Sequence, residues 1–203
     1  MTLSDVVDGF PGLSLEAGAA LLAGDFADAL YLFVDDGLVV VRAALPDSTR
    51  RTITSHAGPG ALILPPGSEE MLVALTGARI VVLTVEVCER LIASTEAASL
   101  LLQGLAESLR QQHAALAGMS RLHHVDRVRQ KLIQLARDHG RVGRDGIRLD
   151  FPLTHDLLGE MTGSARETVT RALDELQREG FVVREGRTYS VHVAPEELGL
   201  TAV

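Results

Sequence analysis

The chain has 203 residues, 46% of them hydrophobic, with 19 lysines and arginines against 27 aspartates and glutamates and a net charge of −8. That is enough apolar content to bury a core in one large or two small domains, and it excludes a strongly basic nucleic-acid coat. No uninterrupted apolar run reaches membrane-spanning length, and a single cysteine, Cys88, excludes an internal disulfide framework and a four-cysteine metal or iron–sulfur site.

The opening MTLSDVVDGFPG has no basic n-region, so no secretory signal is expected and a reducing cytoplasm is the simplest home. Residues 13 to about 87 read as strands. ALYLFV at 29–34, LVVVRA at 38–43, TRRTITS at 49–55, MLVALT at 71–76 and ARIVVLTV at 78–85 are short and rich in β-branched residues. Turn signals separate them at Gly24-Asp25, Asp35-Asp36-Gly37, Pro46-Asp47, Gly58-Pro59-Gly60, Pro65-Pro66-Gly67 and Gly77. Many short strands at this spacing predict a jelly roll or similar barrel. Metal-dependent enzymes also use such rolls, but their sites need several histidines and a carboxylate converging inside. Between residues 13 and 87 the only histidine is His56, which reads as a strand-end surface residue. No nucleophile elbow, P-loop or dinucleotide fingerprint appears, so no catalytic set, cofactor or metal is expected. Cys88 lies beside an apolar strand pattern and reads as a plain buried thiol.

From about Val87 to Leu122 the pattern changes to helix. Leu102, Leu105, Leu109, Leu116 and Met119 follow three-four spacing, with Gln112 at the seam position between Leu109 and Leu116. That pattern fits a two-stranded coiled-coil seam or one helix packed on its own domain. Gln112 fits two roles, fixing register in a seam or facing a ligand. His113, His123 and His124 raise haem or metal sensing as an alternative. Adjacent histidines on a helix project about 100° apart, which argues against His123 and His124 sharing one ligand site.

Val125 to His139 reads as an amphipathic helix with Val128, Leu132, Ile133, Leu135 and Ala136 on its apolar side, capped by Gly140. A loop at Gly143–Gly146 leads into a strand, Ile147 to Phe151, ended by Pro152. Next comes LTHDLLGEMTGSARETVTRALDELQREGFVVREGRTYSVHV, Leu153 to Val193. Thr154 is a good N-cap, and Leu157, Leu158 and Met161 form a short amphipathic turn. Gly163 suits the corner between two helices. The second helix, Ser164 to Glu179, buries Val169, Ala172, Leu173 and Leu176 and turns Glu167, Arg171, Asp174 and Arg178 outward, with Arg166 flanking. Gly180 ends it, and Phe181–Arg184 and Thr188–Val193 flank a hairpin at Glu185-Gly186-Arg187. This is the pattern of a winged helix-turn-helix. Such a helix touches bases with its N-terminal residues, here Arg166, Glu167, Thr170 and Arg171. Arg can donate two bonds to guanine, and Glu can accept from cytosine. Ser164-x-x-Glu167 is also a capping box, and exposed Arg and Glu are ordinarily a solvated surface. The tail, residues 194–203, reads as a short helical or frayed end.

GSARETVTRALDELQREGFV resembles the recognition-helix segment of the CRP/FNR family, the cyclic-AMP receptor and fumarate-nitrate regulators. The resemblance implies base reading by Arg166, Glu167 and Arg171. It implies phosphate contacts from Thr154 and Thr168; Ser164 and Arg187 complete our expected phosphate set. AGDFADALYLFVDDGLVVVRA is similar, more loosely, to the opening of the family's effector domain. The family's cyclic-nucleotide cassette carries a Gly-Glu pair and a downstream Arg-Ser or Arg-Thr pair. Here the stretch is GALILPPGSEEMLVA, with Ala61 in place of the Glu and Ser68, Glu69 and Glu70 near the missing Arg. Two carboxylates there would repel a phosphate, so no cyclic-nucleotide response is expected. Positions expected to line an effector pocket are Ala61, Gln112 and His113.

The resemblance implies an α+β chain in three parts: a β-roll sensor over 1–90, a dimerisation helix over 91–122 and a winged helix-turn-helix over 123–203. The function it implies is a homodimeric transcription regulator on a palindromic operator of double-stranded DNA, with RNA polymerase as a further partner. A small-molecule effector other than a cyclic nucleotide and competence without any ligand both stay open. A degenerate scaffold that no longer reads DNA, or a haem or redox sensor, are the alternatives. Residues 1–122 carry 7 basic against 14 acidic residues and 123–203 carry 12 against 13, so the DNA end is nearly neutral. Selectivity must then rest on a few placed contacts, with modest non-specific affinity.

Overall fold

The computed structural model describes residues 1–44, 51–119, 123–143, 146–186, 188–193 and 198. Two compact units divide the chain at Ala114/Ala115.

The first unit opens with α1 (Leu3–Val7), started by a Thr2–Asp5 capping box. Eight strands follow: β1 (Gly12–Leu15), β2 (Ala20–Leu22), β3 (Ala29–Asp36), β4 (Val39–Ala44), β5 (Arg51–Ala57), β6 (Leu62–Ile63), β7 (Glu70–Ala74) and β8 (Ala78–Thr84). They form two antiparallel four-stranded sheets, ordered β1-β8-β3-β6 and β2-β7-β4-β5. Alternation along the strands sends Leu32, Val34, Val39, Val41, Leu72 and Ile80 into one core between the sheets, with Phe26 from a short 3-10 turn. A second core lies on the outer face, where Phe33, Val81 and Leu83 meet Leu3, Val7, Leu91, Ala97 and Leu101. Arg79 ties β8 to β3 through Asp35 at 2.5 Å. The roll therefore buries both faces of one sheet, one inside and one under helices.

The expected strands are all present, and three short ones, β1, β2 and β6, join them. Residues 45–50, including the start of the strand expected at 49–55, lie outside the described residues. His56 is not a surface residue as expected. It is 9% exposed on β5, paired with Val40 of β4, because the strand runs on past it to Ala57. Cys88 is half-buried against the outer core, and burial pushes its thiol pKa up.

The helix expected from Val87 is two helices, α2 (Val85–Ile92) and α3 (Thr95–Met119). The break has a local cause. Ser94 Oγ accepts from the Ala97 amide at 3.4 Å, and the Ser94 amide turns back to the Leu91 carbonyl. A serine in that position offers the chain a helix start in place of continuation. Along α3, Ala97 and Leu101 face the outer core and Leu105 packs against it. Leu102 and Leu109 stand 67% and 53% exposed. Gln112 is half-buried and His113 exposed, while the side chains of Leu116 and Met119 lie outside the described set.

The second unit contains α4 (His124–His139), β9 (Arg141–Gly143), β10 (Gly146–Leu149), α5 (His155–Thr162), α6 (Arg166–Arg178), β11 (Val182–Glu185) and β12 (Thr188–Val191). Its sheet is ordered β11-β12-β10-β9. β9 pairs antiparallel with β10, with Ile147 opposite Val142, and residues 144 and 145 of the loop expected at 143–146 lie outside the described residues. Val128, Leu132, Leu135 and Ala136 of α4 are buried, as are Leu157, Leu158 and Met161 of α5, and α4 packs on α5, α6 and β10. The tail, apart from Leu198, lies outside the described residues.

Among the described residues no helix is long and apolar enough to cross a membrane, and no group of three His, Cys, Asp or Glu is placed to hold one metal ion.

Candidate nucleic-acid interface

The candidate interface lies on α5, α6 and the paired strands β11 and β12. Thr154 caps α5, its Oγ1 accepting from the Leu157 amide at 3.1 Å. Its hydroxyl proton remains available to donate outward, as a phosphate contact requires. α5 ends at Gly163, whose φ of 63° is the left-handed conformation that glycine adopts at no steric cost. The corner is tight: a Cβ added at Gly159 would lie 2.7 Å from the Ser164 carbonyl oxygen. Gly159 thus permits the close return of the chain that sets α6 against α5.

α6 starts one residue later than a Ser164 cap would place it. Its N-cap is Ala165, with no side-chain cap bond. Ser164 is only 8% exposed and turns inward, its Oγ 3.4 Å from both His124 Nδ1 and Arg127 Nη2. The expected capping box with Glu167 is therefore absent. The expected phosphate contact from Ser164 meets the same obstacle, because the hydroxyl is buried among α4 side chains. Val169, Ala172, Leu173 and Leu176 are buried, Glu167 and Arg171 are exposed on the opposite side, and Arg166 is exposed beside the stripe. The helix closes on Gly180, φ 73°, with the Phe181 amide bonded back to the Leu176 carbonyl at 3.0 Å. The Arg129 guanidinium lies 4.7 Å over the Phe181 ring and pairs with Glu179, which fixes this end of α6 to α4.

At the other end, Pro152, Leu153, Thr154, His155, Asp156, Arg166 and Arg184 line one groove. Arg166 lies 3.7 Å from Asp156, with both side chains about two-thirds exposed. Such a pair is weak in water and leaves the guanidinium free to exchange partners. Arg184 donates to the Gly186 carbonyl at 3.0 Å. His155 has its pKa lowered, first by burial, then by the Arg184 and Arg166 charges, against smaller raising effects of Asp174 and Asp156.

Of the expected base readers, Arg166, Glu167 and Arg171 are all exposed on the N-terminal half of α6. Thr170 differs: its hydroxyl donates to the Arg166 carbonyl at 3.0 Å and meets His155 at 2.8 Å. Thr168 is half-buried in the first turn, and Arg187 lies outside the described residues. Arg184 and His155 were not anticipated. Arg184 lies on β11 of the wing, where the strand pattern of Phe181–Arg184 was the available signal. His155 carried no signal, since its partners are 15 and 34 residues away.

Around the expected effector pocket, the polar groups are engaged locally. Ala61 packs against the inner core, and its carbonyl accepts from the Val34 amide at 2.9 Å. Glu70 braces its own turn, accepting from the Gly67 amide and from Thr54 Oγ1, both at 2.9 Å. Gln112 and His113 stand on α3, half-buried and exposed respectively.

Residues 126–198 match the model of the Crp-like helix-turn-helix domain. The global nitrogen regulator of Synechococcus elongatus is 28% identical over 176 residues, spanning 83% of this chain and 76% of that protein. A CRP-like cAMP-activated global transcriptional regulator of Mycobacterium tuberculosis is 28% identical over 172 residues, 81% of this chain and 76% of its own. Among solved structures, a CRP-family transcriptional regulator of Thermus thermophilus has a TM-score of 0.73 at 23% identity, covering 92% of this chain and 96% of that one. A CooA mutant from Carboxydothermus hydrogenoformans has a TM-score of 0.75 at 20% identity, covering 98% and 94%.

Proposed function

Because the chain is a transcription regulator of the CRP/FNR family with a Crp-like helix-turn-helix domain, we propose that it pairs through α3 and reads a two-part operator with Arg166, Glu167 and Arg171 of α6. The observation that carries this reading is the division of α6 into a buried apolar stripe and an exposed Arg-Glu-Arg set, flanked by Thr154 and Arg184. Arg166 and Arg171 supply guanidinium forks for guanine edges, and Glu167 an acceptor for cytosine. Thr154, Thr168 and the first-turn amides of α6 serve the phosphates. The exposed Leu102 and Leu109 on α3 support pairing. A pair of recognition helices fits half-sites about one helical turn, ~34 Å, apart, so whatever changes their spacing changes affinity.

The effector reading follows from chemistry at the roll. Glu70 is a fixed anion held by two donors beside the position where a nucleotide phosphate would need a cation. Ala61 offers no carboxylate to a ribose. The regulator accordingly works without cyclic AMP or cyclic GMP.

Substituting Arg166→Ala together with Arg171→Ala tests the assignment. Sequence preference is expected to collapse, each lost base contact costing about 1–3 kcal/mol of discrimination, while the fold and pairing persist. An unchanged set of selected sequences contradicts it.

A further inference from the structure

The first residue of α5 reaches both the reading helix and the wing. His155 Nδ1 lies 2.8 Å from Thr170 Oγ1 on α6, and its Nε2 lies 3.2 Å from the Tyr189 hydroxyl on β12. Thr170 Oγ1 in turn lies 3.0 Å from the Arg166 carbonyl. Proton counting gives this chain a direction. A carbonyl only accepts, so the single Thr170 hydroxyl proton goes to Arg166. Toward the ring Thr170 must then accept, and Nδ1 carries the imidazole proton. In the neutral ring Nε2 is left as an acceptor, and Tyr189 donates to it. Tyr189 is 1% exposed, so its hydroxyl is poorly placed to find a water partner instead.

The surroundings favour the neutral ring that this order needs. Burial and the nearby Arg184 and Arg166 charges lower the His155 pKa, outweighing Asp174 and Asp156. Burial also raises the pKa of Tyr189, which keeps its proton.

We propose that His155 is a positioning residue for DNA reading: as the Nδ1–H tautomer it links the Tyr189 hydroxyl of the wing to Thr170, and through Thr170 to the backbone of Arg166. This rests on α6 being the DNA-reading helix. The relay joins the two elements that flank the DNA groove, and it ends on the residue whose side chain reads a base. It holds the first turn of α6 at a set angle to the wing, where an error of a fraction of an ångström weakens a bidentate contact. It also reassigns Thr170. With its proton on a backbone carbonyl and its lone pair facing His155, the hydroxyl is an internal strut and does not read a base.

Two measurements on the full chain test this. The first is the nitrogen NMR spectrum of the imidazole rings at neutral pH, with His155 assigned by His155→Gln. A protonated Nδ1 and bare Nε2 are expected, relaxing toward a tautomer mixture in Tyr189→Phe. An Nε2–H tautomer in the unaltered protein overturns the relay. The second measures affinity for the DNA sequence that the unaltered protein selects. Thr170→Val and Tyr189→Phe are each expected to weaken binding about two- to tenfold, the range of one hydrogen bond's net worth, evenly across operator variants. The double substitution should lose no more than the worse single one, because both act through His155. Thr170→Ser should keep full affinity. A changed base preference in Thr170→Val with a silent Tyr189→Phe makes Thr170 a base reader and overturns the proposal. So does a lowered melting temperature with unchanged affinity. If the unaltered protein selects no DNA, the reading of α6 fails and the role in DNA reading fails with it. The tautomer spectrum, which needs no DNA, then shows whether the relay itself exists.

Discussion

On the proposed pairing through α3, removing two leucines should separate the protomers without unfolding them. Leu102 is 67% exposed and Leu109 53%, seven residues apart on one stripe, while Leu101 beside them is 7% exposed in the roll's outer core. Fully burying a leucine is worth about 1.5–3 kcal/mol. With roughly half to two-thirds of each side chain still to cover, a symmetric seam recovers about 1–2 kcal/mol per leucine, and each position counts twice in a pair. Leu102→Ala with Leu109→Ala should therefore weaken pairing by about 4–8 kcal/mol, which is roughly 10³- to 10⁶-fold in Kd. Sedimentation from nanomolar to tens of micromolar reads this directly. The control is Leu101→Ala, which should cost the protomer about 2–5 kcal/mol of folding stability as a cavity in its own core. If the double variant pairs as tightly as the unaltered chain, α3 is not the seam. If it melts as early as Leu101→Ala, these leucines belong to the protomer core after all.

Other consequences are equally concrete. Lys131 has its pKa lowered from 10.5 to about 8 by burial, with Asp138 opposing. At about 1.4 kcal/mol per unit, its charged form costs on the order of 3 kcal/mol at neutral pH. Because the unfolded chain holds that proton more tightly, this penalty is fully present below pH 8 and is relieved as pH rises toward 10.5. Denaturant titration should accordingly show the unaltered protein gaining about 2–3 kcal/mol between pH 7 and 10 that Lys131→Met does not gain; equal gains in both contradict the argument. Gly159→Ala sets a methyl 2.7 Å from the Ser164 carbonyl oxygen and should cost about 1–3 kcal/mol, with a widened α5–α6 corner and weaker DNA binding. Calorimetric titration with cyclic AMP or cyclic GMP should show no heat of binding; micromolar affinity for either would mean that Glu70 and Ala61 do not decide the matter.

The second unit was legible wherever one residue type forces one local outcome. The three-four spacing of Val169, Leu173 and Leu176, the left-handed Gly163 and the Gly180 stop each admit little else. The long strands of the roll were legible for the same reason, since β-branched runs between turn signals have few alternatives. The short edge strands were not. GLSL in β1 is mostly exposed and shows no inside face, so only pairing with β8 makes it a strand. Ser94 and Ser164 show the limit for polar residues. Both are good caps by type, yet Ser94 caps α3 and Ser164 turns inward to His124 and Arg127, a choice made by neighbours 40 and 37 residues away. His155 is the sharpest case. A histidine in the first turn of a helix is unremarkable until the fold brings Thr170 and Tyr189 to its two nitrogens.

The central claim is that this nearly neutral DNA end finds its sites through a few placed side chains on paired helices, with no nucleotide needed. In-vitro selection from random duplex DNA by the purified, ligand-free protein tests it most directly. The expected product is a palindrome whose half-sites lie about one helical turn apart. Enrichment of no sequence, or of a single unpaired half-site, would contradict the account.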